Sequence, residues 1–117
     1  MKQDVAQEML AILSSDRRWC KNAYAAGPRV CLTAARLRAA GQVNFSGEEI
    51  DLDSDPYLRL LAQVIREQFP DRARAAGVMC PSSCKVAVIW FNDHEDTHFG
   101  DVRAVLEKAA ARWGEGG

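Results

Sequence analysis

Lys85–Trp113 reads KVAVIWFNDHEDTHFGDVRAVLEKAAARW, and the conformation of its first third decides the architecture. Val86–Phe91 is an unbroken apolar run rich in β-branched and aromatic side chains. Such a run predicts a strand buried on both faces, since it is short for a buried helix. Asn92-Asp93 supplies turn chemistry after it. Asp96 or Thr97 is the expected cap of a final helix, whose inward face is Phe99, Val102, Val105, Leu106, Ala109 and Trp113.

Working outward, Val5, Met9, Ile12 and Leu13 repeat at helical spacing and predict a helix over Gln3–Leu13. Trp19–Tyr24 alternates in character and reads as a short strand. Gly27-Pro28 is the signature of a helix start, which predicts a second helix over Pro28–Ala40, stopped at Gly41. Gln42–Phe45 reads as a short edge strand and Ser46–Ser54 as an acidic loop. Asp55-Pro56 opens a third helix with Tyr57, Leu58, Leu61, Val64, Ile65 and Gln68 in register, ended by Pro70. Asp71–Ala76 adds a further turn. The expected fold is α+β: three to four helices packed on a small two- or three-stranded sheet centred on Val86–Phe91.

A chain of 117 residues with 48% apolar and 26% charged residues is read as one domain, 1–117, of ordinary globular composition. Its net charge of −1 gives no overall attraction to nucleic acid or membrane. No apolar run reaches the roughly 18–20 residues that span a bilayer. Residues 1–15 carry Asp4 and Glu8, which does not suit a secretory signal. The expectation is a cytoplasmic protein whose four cysteines, Cys20, Cys31, Cys80 and Cys84, are free thiols.

The small net charge hides segregation along the chain. From Arg17 to Gly47 stand six cations (Arg17, Arg18, Lys21, Arg29, Arg36, Arg38) and no acid; Glu48–Asp55 then carries five acids and no cation.

Three pieces of the sequence resemble a family of small uncharacterised proteins of bacteria and their phages, known only as a domain of unknown function. They are Arg18-Trp19-Cys20, Val30-Cys31-Leu32-Thr33-Ala34-Ala35, and Phe91-Asn92-Asp93 followed by Thr97 and Asp101-Val102. The family pattern looks like Trp-Cys-x-Gly-Ala, a second Cys motif, then Trp-Asn-Asp and a Thr-capped helix; Asn22 stands here at the first Gly. The resemblance implies no known activity. It implies that the segment from His94 to His98 is a loop and helix cap.

Each candidate site also admits a purely structural role. His94-Glu95-Asp96-Thr97-His98 matches the zinc-protease string, which needs both histidines on one helical face with the Glu polarising a bound water. Apolar periodicity begins only at Phe99, so a helix starting near Thr97 leaves His94 outside, and no metal is expected (the alternative ligands being His94 and His98). A thiol enzyme would join Cys20 to Asn92 and His94, against the commoner fate of cysteine as a small buried hydrophobe. Trp19, Asn92 and Asp93 could line a polar pocket, or Asn92 could tie its segment to a neighbouring loop. Finally, Glu48, Glu49, Asp51, Asp53 and Asp55 crowd like charges, an arrangement that can imitate phosphates before a basic partner.

The resulting expectation is a small non-enzymatic protein-binding module without cofactor. It would be a phage-encoded inhibitor whose acidic surface engages a bacterial defence complex with a basic, nucleic-acid-handling surface. The alternatives are a metal-dependent hydrolase at His94 and His98 and a small-ligand sponge near Asn92 and Asp93.

Overall fold

The computed structural model describes residues 4–22, 25–39, 54–72 and 84–116. The expected edge strand Gln42–Phe45, the helix stop at Gly41 and the acids Glu48, Glu49, Asp51 and Asp53 lie outside them.

Asp4 caps α1 (Val5–Ile12), its Oδ1 accepting the Ala6 and Gln7 N–H groups at 3.0 and 3.4 Å. Ala6, Met9 and Leu13 are buried beneath it, while Val5 and Ile12 are partly covered. A single 3-10 turn, Asp16–Arg18, follows.

Gly27-Pro28 does not start a helix. It is the turn of a two-stranded antiparallel hairpin, β1 (Ala25–Ala26) with β2 (Arg29–Val30). Gly27 takes φ +63°, and the proline ring fixes a negative φ at the next position. That pair of signs fits a type II′ turn, the kind that matches strand twist in two-residue hairpins. The second helix accordingly begins later than its sequence signal, as α2 (Leu32–Ala39). A sulfur heads it: the Cys31 Sγ accepts the Ala34 N–H at 3.4 Å and lies 3.1 Å from the Thr33 hydroxyl.

Asp55 caps α3 (Pro56–Gln68) as expected, accepting the Leu58 N–H at 2.9 Å with Pro56 in the first turn. The same carboxylate receives both arms of Arg36, at 2.7 and 2.8 Å, which fastens α2 to the start of α3. Tyr57, Leu58, Leu61, Ala62, Val64 and Ile65 are fully buried, whereas Gln68 is exposed. A 3-10 turn over Pro70–Arg72 succeeds the helix.

The expected central strand is a helix. Val86–Phe91 lies within α4 (Cys84–Asp93), which packs on α3 and α2. Its fully buried residues are Ala87, Val88, Phe91 and Asn92, a stripe at helical spacing, with Val86, Ile89 and Trp90 half covered. Strand propensity yields to context here. A central strand needs neighbours to take its N–H and C=O groups, and among the described residues the strands are two residues long. A helix satisfies those groups internally.

The last helix, α5 (Phe99–Gly116), packs on α1 and α3 and buries Val102, Val105, Leu106 and Ala109. Trp113 meets Tyr57 edge-on, with ring centroids 5.6 Å apart. The architecture is thus five α-helices among the described residues with one minimal hairpin, more helical than the sequence predicts.

Candidate functional site

Three segments distant in sequence meet where α4 ends. Trp19 and Val30 form an isolated parallel bridge, and the Cys20 N–H donates to the Val30 carbonyl at 3.2 Å. The next rung of a parallel ladder would run from the Leu32 N–H to the Cys20 carbonyl. The Asn92 side chain stands in that rung. Its Nδ2 donates to the Cys20 carbonyl at 3.0 Å, and its Oδ1 accepts the Leu32 N–H at 3.1 Å. A carboxamide has the donor and acceptor of a peptide group, so it extends the ladder by one unit.

The remaining valences of Asn92 are also used. Oδ1 accepts the Trp19 indole N–H at 2.7 Å, and Nδ2 donates to Asp93 Oδ1 at 2.9 Å. Two N–H donors on one atom and a carbonyl on the other allow a single orientation of the amide. Asn92 is 1% exposed, so this full satisfaction is what makes its burial tolerable. Asp93 Oδ1 in turn accepts the Asn22 N–H at 2.8 Å. Asn22 has φ +62°, a left-handed conformation that glycine and asparagine adopt most readily.

Sequence reasoning placed Trp19, Asn92 and Asp93 together, and the structure brings them into contact. Their polar groups bond to one another and to the backbone. The open space lies on the other side of Trp19, in a cleft of about 400 Å³ lined by Asp16, Trp19, Lys21, Arg29, Thr97, His98 and Phe99. Trp19 and Phe99, with ring centroids 6.3 Å apart, give it apolar surface. The Lys21 ammonium lies 5.7 Å from the Trp19 ring centroid and donates to the His94 carbonyl at 2.6 Å, which fixes its place beside the cleft. Arg29 adds a second, exposed cation.

Thr97 was an expected helix cap. Its residue is 1% exposed, and its hydroxyl finds no partner among the described residues. The N-cap position belongs to His98. Asp101, three residues on, reaches back to the His98 N–H at 3.1 Å and so makes half of a capping box. Burial works against the Asp101 carboxylate, but that N–H and the Arg72 guanidinium at 2.6 Å hold it below its ordinary range. Lys21, Arg29, Thr97 and Phe99 were not singled out as binding residues from sequence. Each had a bland role there, as basic face, cap or core.

His94 lies in the turn between α4 and α5, where its Nδ1 accepts the Asp96 N–H at 3.0 Å; His98 stands at the head of α5. The two rings therefore do not share a helical face. Among the described residues no three His, Cys, Asp or Glu side chains gather as metal ligands would. Asn92 engages the carbonyl of Cys20, while His94 accepts a bond from its own turn, so the hydrogen bonds do not assemble a Cys-His-Asn set. Cys20 and Cys31 are buried and are not joined in a disulfide. Burial pushes the Cys20 thiol above its usual range, helped by Cys31 and Asp93 and opposed by Arg29. Asp55, expected in an acidic partner surface, is committed to the α3 cap and Arg36.

None of the helices described is long and apolar enough to cross a membrane. No curated protein and no solved structure matches the chain. The family model that matches it covers residues 2–112, and the chain therefore belongs to DUF6197, a family of unknown function.

Proposed function

We propose that this chain is a non-enzymatic binding protein whose cleft beside Trp19 takes a small anion joined to a flat apolar group. The observation that carries the reading is the cleft itself, where the rings of Trp19 and Phe99 stand beside the cations Lys21 and Arg29. Trp19 and Phe99 supply apolar surface for the flat part, and the two cations outweigh Asp16 for the charge.

Phenyl phosphate is a suitable probe. A ligand held only by the folded state raises the melting temperature, by about 2.7 kcal/mol of stability at a hundredfold excess over Kd. Phenyl phosphate should stabilise the protein more than inorganic phosphate or phenol does, and Arg29→Ser should reduce the shift. Equal, negligible shifts for all three compounds would reject the reading.

A second reading rests on charge segregation. Glu48, Glu49, Asp51 and Asp53, with Ile50 and Leu52 between them, would engage a protein partner with a basic surface, such as a nucleic-acid-handling complex. Replacing the four acids by Ser or Asn should weaken capture of such a partner and flatten its salt dependence. Unchanged affinity would reject this mode.

A further inference from the structure

We propose that Cys20 and Cys31 form a dithiol site that a hydroperoxide converts to an intramolecular disulfide. The Trp19–Val30 bridge is parallel, so the residues that follow each partner, Cys20 and Cys31, stand side by side. Paired strands run about 4.8 Å apart, and disulfides join Cα atoms about 4.4–6.8 Å apart. The bond from the Cys20 N–H to the Val30 carbonyl, 3.2 Å, holds the two backbones together at this point. Residues paired across a parallel ladder point to the same face, and both thiols are buried, at 9% and 5% exposure.

The two sulfurs are chemically unequal. Cys31 Sγ accepts the Ala34 N–H at the head of α2 and lies 3.1 Å from the Thr33 hydroxyl. Cys20 is a buried thiol beside the carboxylate of Asp93. Cys31 sulfur attacks the outer peroxide oxygen. The O–O bond breaks, the alcohol or water leaves with the thiol proton, and Cys31 becomes a sulfenic acid. Cys20 sulfur then displaces hydroxide from it, giving the disulfide and water. Two thiols are oxidised and one peroxide is reduced. The product would lock the Trp19 segment to the start of α2, next to the Asn92 junction.

The test uses the full chain treated with equimolar hydrogen peroxide, then alkylated and digested with trypsin. Trp19–Lys21 and Val30–Arg36 are separate tryptic peptides, each holds one cysteine, and neither contains methionine. They should appear joined, lighter by two hydrogens, and separate again with dithiothreitol. The Cys80→Ser/Cys84→Ser variant, which keeps only this pair, should lose both titratable thiols under native conditions. Links from Cys20 or Cys31 to Cys80 or Cys84, dimers through these thiols, or stable sulfinic acid at Cys31 would overturn the proposal. So would persistence of both thiols.

Discussion

Replacing Asn92 with Ala tests the junction on which the site is built. The substitution leaves the Trp19 indole N–H, the Leu32 N–H and the Cys20 carbonyl without the partner each now has. A buried group so orphaned costs about 1–3 kcal/mol, and three would cost roughly 3–9. Two effects reduce the total. Removing the carboxamide opens room for a water, which can satisfy one or two of the groups. Alanine is also the better helix former, by about half a kcal/mol. The expected loss is therefore about 3–5 kcal/mol, a large share of the roughly 5–15 kcal/mol that holds a domain together. Urea unfolding followed by tryptophan fluorescence measures it. With a slope near ~1.5 kcal/mol/M, the midpoint should fall by about 2–3 M. A loss below ~1 kcal/mol with an unchanged slope would refute the reasoning.

Asn92→Asp separates shape from chemistry at the same position. It keeps the acceptor but turns oxygen toward the Cys20 carbonyl and Asp93 Oδ1, which now receive Nδ2. Burial and those two oxygens raise the pKa of the new carboxyl in the folded state above its unfolded value. Its deficit should therefore be least below the unfolded pKa, where the protonated group can donate. It should grow as pH rises through the folded pKa. Asn92→Ala should show no such recovery in acid. A deficit independent of pH would mean that the lost donor is not what matters.

Three further substitutions probe other parts of the fold. Asp55→Ala removes both the α3 cap and the bidentate Arg36 partner, and thermal or urea unfolding should show a loss of about 2–4 kcal/mol, exceeding that of Arg36→Met. Asp101 is held below its ordinary carboxylate range, so its contribution is present above the unfolded pKa and disappears as pH falls through the folded one; the melting-temperature gap between wild type and Asp101→Asn should narrow below about pH 4. Tyr57→Phe removes a buried hydroxyl that has no partner among the described residues, and should be neutral or stabilising by up to ~1 kcal/mol in urea unfolding.

Where local chemistry and apolar period agree, the elements were legible. Asp55-Pro56 marks α3 and the first periodic residue, Phe99, marks α5. Gly27-Pro28 is different, because the same dipeptide serves a helix start and a hairpin turn. The hairpin places Val30 beside Trp19, and a cysteine then caps α2, a role for which cysteine carries no strong sequence signal. Val86–Phe91 misleads because an unbroken apolar run has no period to read. Its fold depends on what surrounds it, α3 and α2 rather than other strands. Trp19, Asn92 and Asp93 stood out as residue types at a turn, but the cleft did not. Lys21 reaches His94 across 73 positions, and nothing local encodes that contact.

The junction and the cleft are one mechanical unit. Trp19 forms cleft wall with one part of its indole and donates to Asn92 with another. Lys21 follows Trp19 in the chain and is tethered to the His94 carbonyl just beyond α4, so the position of its charge also depends on where α4 ends. Thr97 and Phe99 arrive from the far side of that turn, at the approach to α5. A small helical protein could close its core without a buried carboxamide, since apolar packing of the same volume commonly costs nothing in stability. What the polar junction adds is direction: it fixes one register between the Trp19 segment, the start of α2 and the end of α4. A cleft whose walls come from segments so far apart in sequence needs that fixed register before it can select a ligand.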